Sequence, residues 1–403
     1  MSLKVVSCFL LATVALASLS DLHLPEEKLT AMELIEYWGY YGEEHIVETE
    51  DGWILPMHRI PRGKNETENT PGKPVVILQH GLECSSDNFL LNLPSQSPGF
   101  VFADAGFDVW IPNTRGNSYT SNKNYDRTES GFWHFTSDEM QMYDMPAYFD
   151  VIENVTGLPK FYYVGHSQGT YIMFAKLAWD PSFADRVIKY FALGPGVVFK
   201  DLKGVFDIVC DTNNFALGQS IWDLVPYTEF SLGLLSQQSV DFLTDLTCTL
   251  EIEREYCAHV YYLFGGPSTQ TNVTRMPVFT THIPAGASTA LVQKYCQTEI
   301  NGTGGFRWYR YPTDAENIAA YGSVDPPLYN LTRMEVPLYL YSTPDDWLTT
   351  LANLEEDILP NLAPGVLQED NRYPGFAHMD LIWGLNATDA IFNKIIATIN
   401  QDL

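Results

Sequence analysis

The sequence predicts an α/β protein, with a mostly parallel central sheet, helices on both of its faces and an inserted, mostly helical cap. Three observations predict it. Short apolar runs alternate with segments of helical periodicity, the pattern of strands buried on both faces. Roughly 140 residues separate the fourth and fifth apolar runs, far more than a crossover between parallel strands requires. Finally, 45% of the 403 residues are hydrophobic and only 18% charged, enough to fill a large core and unlike a disordered chain.

Taken in order, Met1 to Ser20 carries Lys4, an apolar stretch from Phe9 to Leu16 and a run of small residues. This is the pattern of a cleaved signal peptide, too short in its apolar part to span a bilayer. No later segment has about twenty uninterrupted apolar residues, so no transmembrane segment is predicted. The expected divisions are a signal peptide over residues 1–20, a first core part over 21–196, a cap over 197–311 and a second core part over 312–403.

The strands expected within the core are Val75–Leu78, Phe107–Ile111, Phe161–Val164, Val187–Leu193 and Val336–Tyr341. Helical periodicity marks Met140–Asn154, Tyr171–Trp179 and Ala390–Ile399, the last through Ile391, Phe392, Ile395, Ile396 and Ile399. The cap is rich in apolar residues such as Phe206, Phe215, Trp222 and Phe230. These either pack inward or open onto lipid, and periodicity does not separate the two.

Formal charge is −27, and −28 once Lys4 leaves with the signal peptide. So acidic a chain is not an electrostatic partner for nucleic acid or anionic membranes. Without Cys8, five cysteines remain, Cys84, Cys210, Cys248, Cys257 and Cys296, so at least one is unpaired within the chain. Spacing alone does not fix the pairing. Asn-x-Ser/Thr sequons at Asn65, Asn154, Asn272, Asn301, Asn330 and Asn386 predict glycosylation in a secretory-pathway protein bound for the lysosome lumen or the outside.

The chemistry centres on Gly165-His166-Ser167-Gln168-Gly169. A serine between glycines, after a strand and before a helix, is the nucleophile elbow of the α/β-hydrolase fold, where larger neighbours would collide. A serine hydroxyl needs a base, and the base needs an orienting carboxylate; in this fold they follow in the order Ser, acid, His. Asp345 and Asp346 lie just after the fifth strand, and His378 is the only one of nine histidines beyond them. The expected triad is Ser167, Asp346 and His378, with Asp345 a rival acid. Backbone N–H groups of an oxyanion hole are expected from Gln168 and from the turn His80-Gly81-Leu82.

Around these positions the chain resembles the acid lipase family, which includes gastric and lysosomal acid lipases. The resemblance runs through Tyr37-Trp38-Gly39-Tyr40, Leu78-Gln79-His80-Gly81-Leu82, Asn113-Thr114-Arg115-Gly116-Asn117, Val164 to Thr170 and His378-Met379-Asp380-Leu381-Ile382-Trp383-Gly384. It implies Leu82 and Gln168 as oxyanion donors, Asp346 as the acid, a Cys248–Cys257 disulfide and a mobile lid. It further implies acidic-pH hydrolysis of triacylglycerols and cholesteryl esters at a lipid–water interface, with no metal or cofactor. The chain departs from the family at Gly194-Pro195-Gly196, where Ala-Pro-Val is common, and at Thr349-Thr350-Leu351, where Ala-Asp-Pro is usual. It also departs at Cys84 and at Ala377, which stands where an asparagine often precedes the histidine. A soluble carboxylesterase or thioesterase with the same triad, or a non-catalytic lipid carrier, are the competing readings. Oligomeric state is not legible.

Overall fold

The computed structural model describes residues 23–210, 227–230, 248, 254–298 and 304–403. The predicted signal peptide, Asn301 and parts of the predicted cap lie outside these residues.

Nine strands form one sheet: β1 Glu43–Glu48, β2 Trp53–Ile60, β3 Val75–Gln79, β4 Asp108–Pro112, β5 Ser121–Asn122, β6 Phe161–His166, β7 Val187–Leu193, β8 Leu338–Ser342 and β9 Leu367–Arg372. Their order is β1-β2-β4-β3-β6-β7-β8-β9, with β5 also paired to β2. Strands from β4 to β9 along this order run parallel, while β2 is antiparallel to β1, β4 and β5.

The five strands read from the sequence are β3, β4, β6, β7 and β8, the last starting two residues late, after Pro337. Alternate residues on these strands feed two cores. Val75, Ile77, Trp110, Tyr163, Tyr190 and Leu340 belong to one. Val76, Leu78, Val109, Ile111, Val164, Phe191 and Tyr341 belong to the other. Both faces are therefore buried, which is why these strands are apolar throughout instead of alternating with polar residues. Helices Met145–Thr156 and Gln168–Trp179 cover the first face, Pro98–Asp104 and Asn393–Ile399 the second.

Helical periodicity misjudged some boundaries. Met140–Asp144 is a π turn leading into the helix at Met145, and Thr388–Phe392 is a π turn leading into Asn393–Ile399. In the described part of the cap, helices span Val205–Val209, Arg254–Gly265, Met276–His282 and Thr289–Gln297. Two disulfides bind this region, Cys248–Cys257 and Cys210–Cys296, leaving Cys84 as a buried thiol.

Among the sequons, Asn65, Asn154, Asn330 and Asn386 are exposed. Asn272 is buried, and its Nδ2 donates to Asn92 Oδ1 (3.1 Å) and Gln96 Oε1 (3.2 Å). A glycan on that nitrogen would displace both bonds. No helix among the described residues is long and apolar enough to cross a membrane.

The sheet order puts the chemistry at one place. The chain leaves β3 for β4 on one side and returns to β6 on the other, which makes the carboxyl ends of β3 and β6 a topological switch point. There Gln79 is in register with Gly165, and one strand over His166 is in register with Leu193. The loops after β3, β6, β7, β8 and β9 thus gather on one rim.

Candidate active site

Ser167 follows β6 directly and caps the helix Gln168–Trp179, with φ 54° and ψ −118°. A non-glycine residue is rarely held there, and the strain persists only because the surroundings leave no alternative. Its N–H donates to the Leu193 carbonyl (2.9 Å), which ties the turn to β7. The flanking glycines are sterically required. A Cβ on Gly165 would lie 2.7 Å from the Gly169 carbonyl oxygen, and one on Gly169 would lie 2.4 Å from that of Gln79.

His378 and Asp346 meet across 32 residues of sequence. His378 Nδ1–H donates to Asp346 Oδ2 (2.7 Å), and both side chains are buried. That bond leaves Nε2 as the unprotonated, basic nitrogen of the neutral ring. Asp346 is itself held by N–H donors from Leu348 and Thr349 to Oδ1, both at 2.8 Å. Asp345, the rival acid, instead accepts the Gly375 N–H (2.8 Å) and so braces the histidine loop. Asp380 braces it from the other end, accepting the Ala377 N–H (2.6 Å); burial pushes its carboxyl up to about 6.

Leu82 and Gln168 both line the cavity that holds Ser167 and His378. As the first helical residue, Gln168 has no intrahelical acceptor for its N–H. The turn carrying Leu82 packs on Ser167 so closely that a Cβ on Gly81 would lie 3.1 Å from Ser167 Cβ. His80, which sequence reasoning gave no role of its own, fixes this turn. Its Nε2 accepts the Thr114 N–H (3.1 Å), so its Nδ1 carries the proton and donates to the Gly81 carbonyl (2.9 Å). Burial pushes the ring down to about 4, keeping it neutral and in that tautomer. Arg115 lies deeper, buried between Asp144 and Asp51, and is structural.

The cavity has a volume of about 380 Å³ and is walled mainly by apolar side chains, among them Phe199, Leu202, Phe206, Tyr261, Ile283 and Leu348. Core and cap both contribute, and the cap grips the histidine loop directly, since the His378 N–H donates to the Gly265 carbonyl (3.1 Å).

The chain matches the family described as a partial alpha/beta-hydrolase lipase region over residues 31–93 and the alpha/beta hydrolase fold over 74–210. It is 38% identical over 380 residues to the human lysosomal acid lipase/cholesteryl ester hydrolase, covering 92% of this chain and 91% of that one. The chain belongs to the acid lipase family. To human gastric triacylglycerol lipase it is 35% identical over 384 residues, covering 94% and 92% of the two chains. To the Caenorhabditis elegans lipase lipl-1 it is 39% identical over 385 residues, covering 94% and 93%. Membership in this family of lipases makes the chain an ester hydrolase. Solved structures share only the fold: a putative lipase from Sulfolobus solfataricus aligns with a TM-score of 0.55 at 12% identity, over 90% of this chain and all of that one. A membrane phospholipase A aligns equally well, 0.55 at 13% identity over 98% and 100%.

Proposed function

We propose that this acid lipase family member cleaves neutral-lipid esters, triacylglycerols or cholesteryl esters, at acidic pH through Ser167, His378 and Asp346. The observation that carries the reading is the 2.7 Å His378–Asp346 contact on the wall of an apolar cavity that also holds Ser167 on its strained turn. His378 Nε2 takes the hydroxyl proton as Ser167 Oγ attacks the ester carbonyl, and Asp346 stabilises the imidazolium that forms. The oxyanion is received by the Leu82 and Gln168 N–H groups, the second reinforced by the helix N-terminus. His378 then protonates the leaving alcohol, and water releases the acid from the acyl-enzyme by the same steps in reverse.

An apolar cavity shared by core and cap suits a long acyl chain better than a small polar ester. Substrates of the two human relatives, as their names state them, are of this class. Acidic operation is supported by Asp380 and Glu83, buried carboxyls whose neutral forms are favoured, and by a chain of net charge −27, whose self-repulsion falls as its surface carboxylates protonate. Secretion or delivery to the lysosome is the reading supported by the predicted signal peptide and by the same relatives.

The test is fatty-acid release from emulsified triolein and cholesteryl oleate between pH 4 and 8, with Ser167→Ala as control. Release that depends on Ser167 and is strongest in acid is the expected result. Turnover confined to dissolved short-chain esters would replace the lipase reading by that of a soluble esterase.

A further inference from the structure

Asp346 holds more than the catalytic histidine. Its Oδ2 accepts two hydrogen bonds, one from His378 Nδ1–H and one from the Thr349 hydroxyl, each at 2.7 Å. Thr349 Oγ1 lies 3.4 Å from His378 Nδ1, so the hydroxyl sits at the junction of acid and base. Thr349 is only 2% exposed, which keeps competing water away from the contact. A hydroxyl facing a carboxylate can only donate, and a donor bond to a charged acceptor is among the stronger kinds.

Room for this side chain is made from the opposite wall, in the loop after β7. A Cβ on Gly194 would lie 3.3 Å from Thr349 Oγ1 and 3.1 Å from His378 Cε1, and Gly194 has φ +59°. A Cβ on Gly196 would lie 2.9 Å from Thr349 Cγ2. The two glycines, which carry no Cβ, therefore face the hydroxyl and the methyl of Thr349.

We propose that Thr349 is a positioning residue of the catalytic centre, fixing the Asp346 oxygen that orients His378, and that Gly194 and Gly196 form the notch that admits it. This rests on the triad reading above. With four donors shared between its two oxygens, the carboxylate has one orientation. Without the hydroxyl it retains the backbone donors on Oδ1 but can swing Oδ2 away from the imidazole. The loss falls on the rate of the chemical step and not on substrate binding, because Thr349 reaches the substrate only through Asp346 and His378.

The experiment compares Thr349→Val, Thr349→Ser and Asp346→Asn with wild type, reading kcat and KM on a dissolved ester, the rate of fluorophosphonate labelling, and Tm. Thr349→Val keeps the shape and removes the donor; its kcat and labelling rate should fall about tenfold with KM within twofold. Thr349→Ser keeps the donor and should restore most of the rate. Gly196→Ala should also slow the enzyme, and combining it with Thr349→Ser, which lacks Cγ2, should recover more than the sum of the single effects predicts. Wild-type kcat in Thr349→Val alongside an inactive Asp346→Asn overturns this proposal and leaves the triad standing. Full activity in Asp346→Asn overturns the triad reading itself. Should Thr349→Val not fold, Thr349→Ala is read in its place, with the same loss expected and wild-type kcat contradicting the proposal.

Discussion

A Cβ placed on Gly169 would touch the Gln79 carbonyl oxygen at 2.4 Å and lie 3.0 Å from that of His80, backbone atoms that cannot yield as the end of a flexible side chain would. Gly169→Ala should therefore cost stability by roughly 2 kcal/mol or more, the range of core overpacking, measurable as a lowered denaturation midpoint. The same crowding is why Ser167 could be read from the sequence: the fold can place a serine on this turn only with glycines beside it. His378 was legible by its place in the chain. Thr349 was not, because a hydroxyl three residues after a carboxylate is common; the only local hint is Asp346-x-x-Thr349, the spacing at which an aspartate side chain caps a following turn. Neither was the role of His80, whose partner Thr114 is 34 residues away. Glu83 adds a prediction at this scale. It follows Leu82 with φ 59°, its carbonyl accepts the Ala285 N–H (2.6 Å), and its carboxyl accepts the Gly286 N–H (3.2 Å). Burial, aided by nearby Glu229 and opposed by Arg127, pushes this carboxyl up to about 8. A carboxyl whose pKa is raised on folding contributes most below its unfolded value near 4.5, and that contribution is lost as pH rises toward 8. Glu83→Gln should accordingly flatten the fall of Tm between pH 5 and 8, and an unchanged slope would show that the carboxyl is not buried neutral.

At the scale of elements, the strands that escaped sequence reading are β1, β2, β5 and β9, of which β1 and β9 form the sheet's edges. β9, Leu-Gln-Glu-Asp-Asn-Arg, alternates half-buried and exposed residues, and β1 is nearly as polar. Charge on an edge strand deters pairing with another chain, so such strands carry little of the apolar signal that identifies central ones. The cap's disulfides differ in reach. Cys210–Cys296 spans 86 residues and Cys248–Cys257 only 9. On the loop-entropy account, opening the first costs about 4–5 kcal/mol and the second about 2–3 kcal/mol. Serine replacements at both ends of each bridge, compared by chemical denaturation, should rank in that order. A clip of another kind joins the N-terminal turn Pro25–Lys28, the helix Met276–His282 and the turn Ser86–Phe89 that follows the His80-Gly81-Leu82 turn. Its centre is His282, whose Nδ1 faces Asp87 Oδ2 (3.0 Å) and whose Nε2 faces the Glu26 carbonyl (2.9 Å). Both partners are acceptors, so only the doubly protonated ring satisfies both. Burial works against that charge, but Asp87 outweighs it and the ring's pKa is raised.

For the whole molecule, these groups combine into a pH dependence of stability. His282 and Glu83 contribute through their protonated forms; Glu83 loses its contribution as pH rises from about 4.5 toward 8, and His282 as pH rises above about 6.5, the ordinary histidine value. His58, His80 and His166 are buried with lowered pKa values, so they oppose acid, losing stability as pH falls below 6.5. Stability should decline from pH 6.5 to 8, and His282→Gln should reduce the decline; a Tm that rises over that interval would refute the assignment. The overall architecture was legible because five of the six parallel strands are buried on both faces, whereas the cap's path was not, since its apolar residues fit several packings. The central claim, that Ser167 is a nucleophile activated by His378, is tested most directly by mapping the adduct left by a fluorophosphonate. One modified peptide, containing Ser167, in the wild type and no adduct in His378→Ala is the predicted result. An adduct on another residue, or labelling that survives Ser167→Ala, would contradict it.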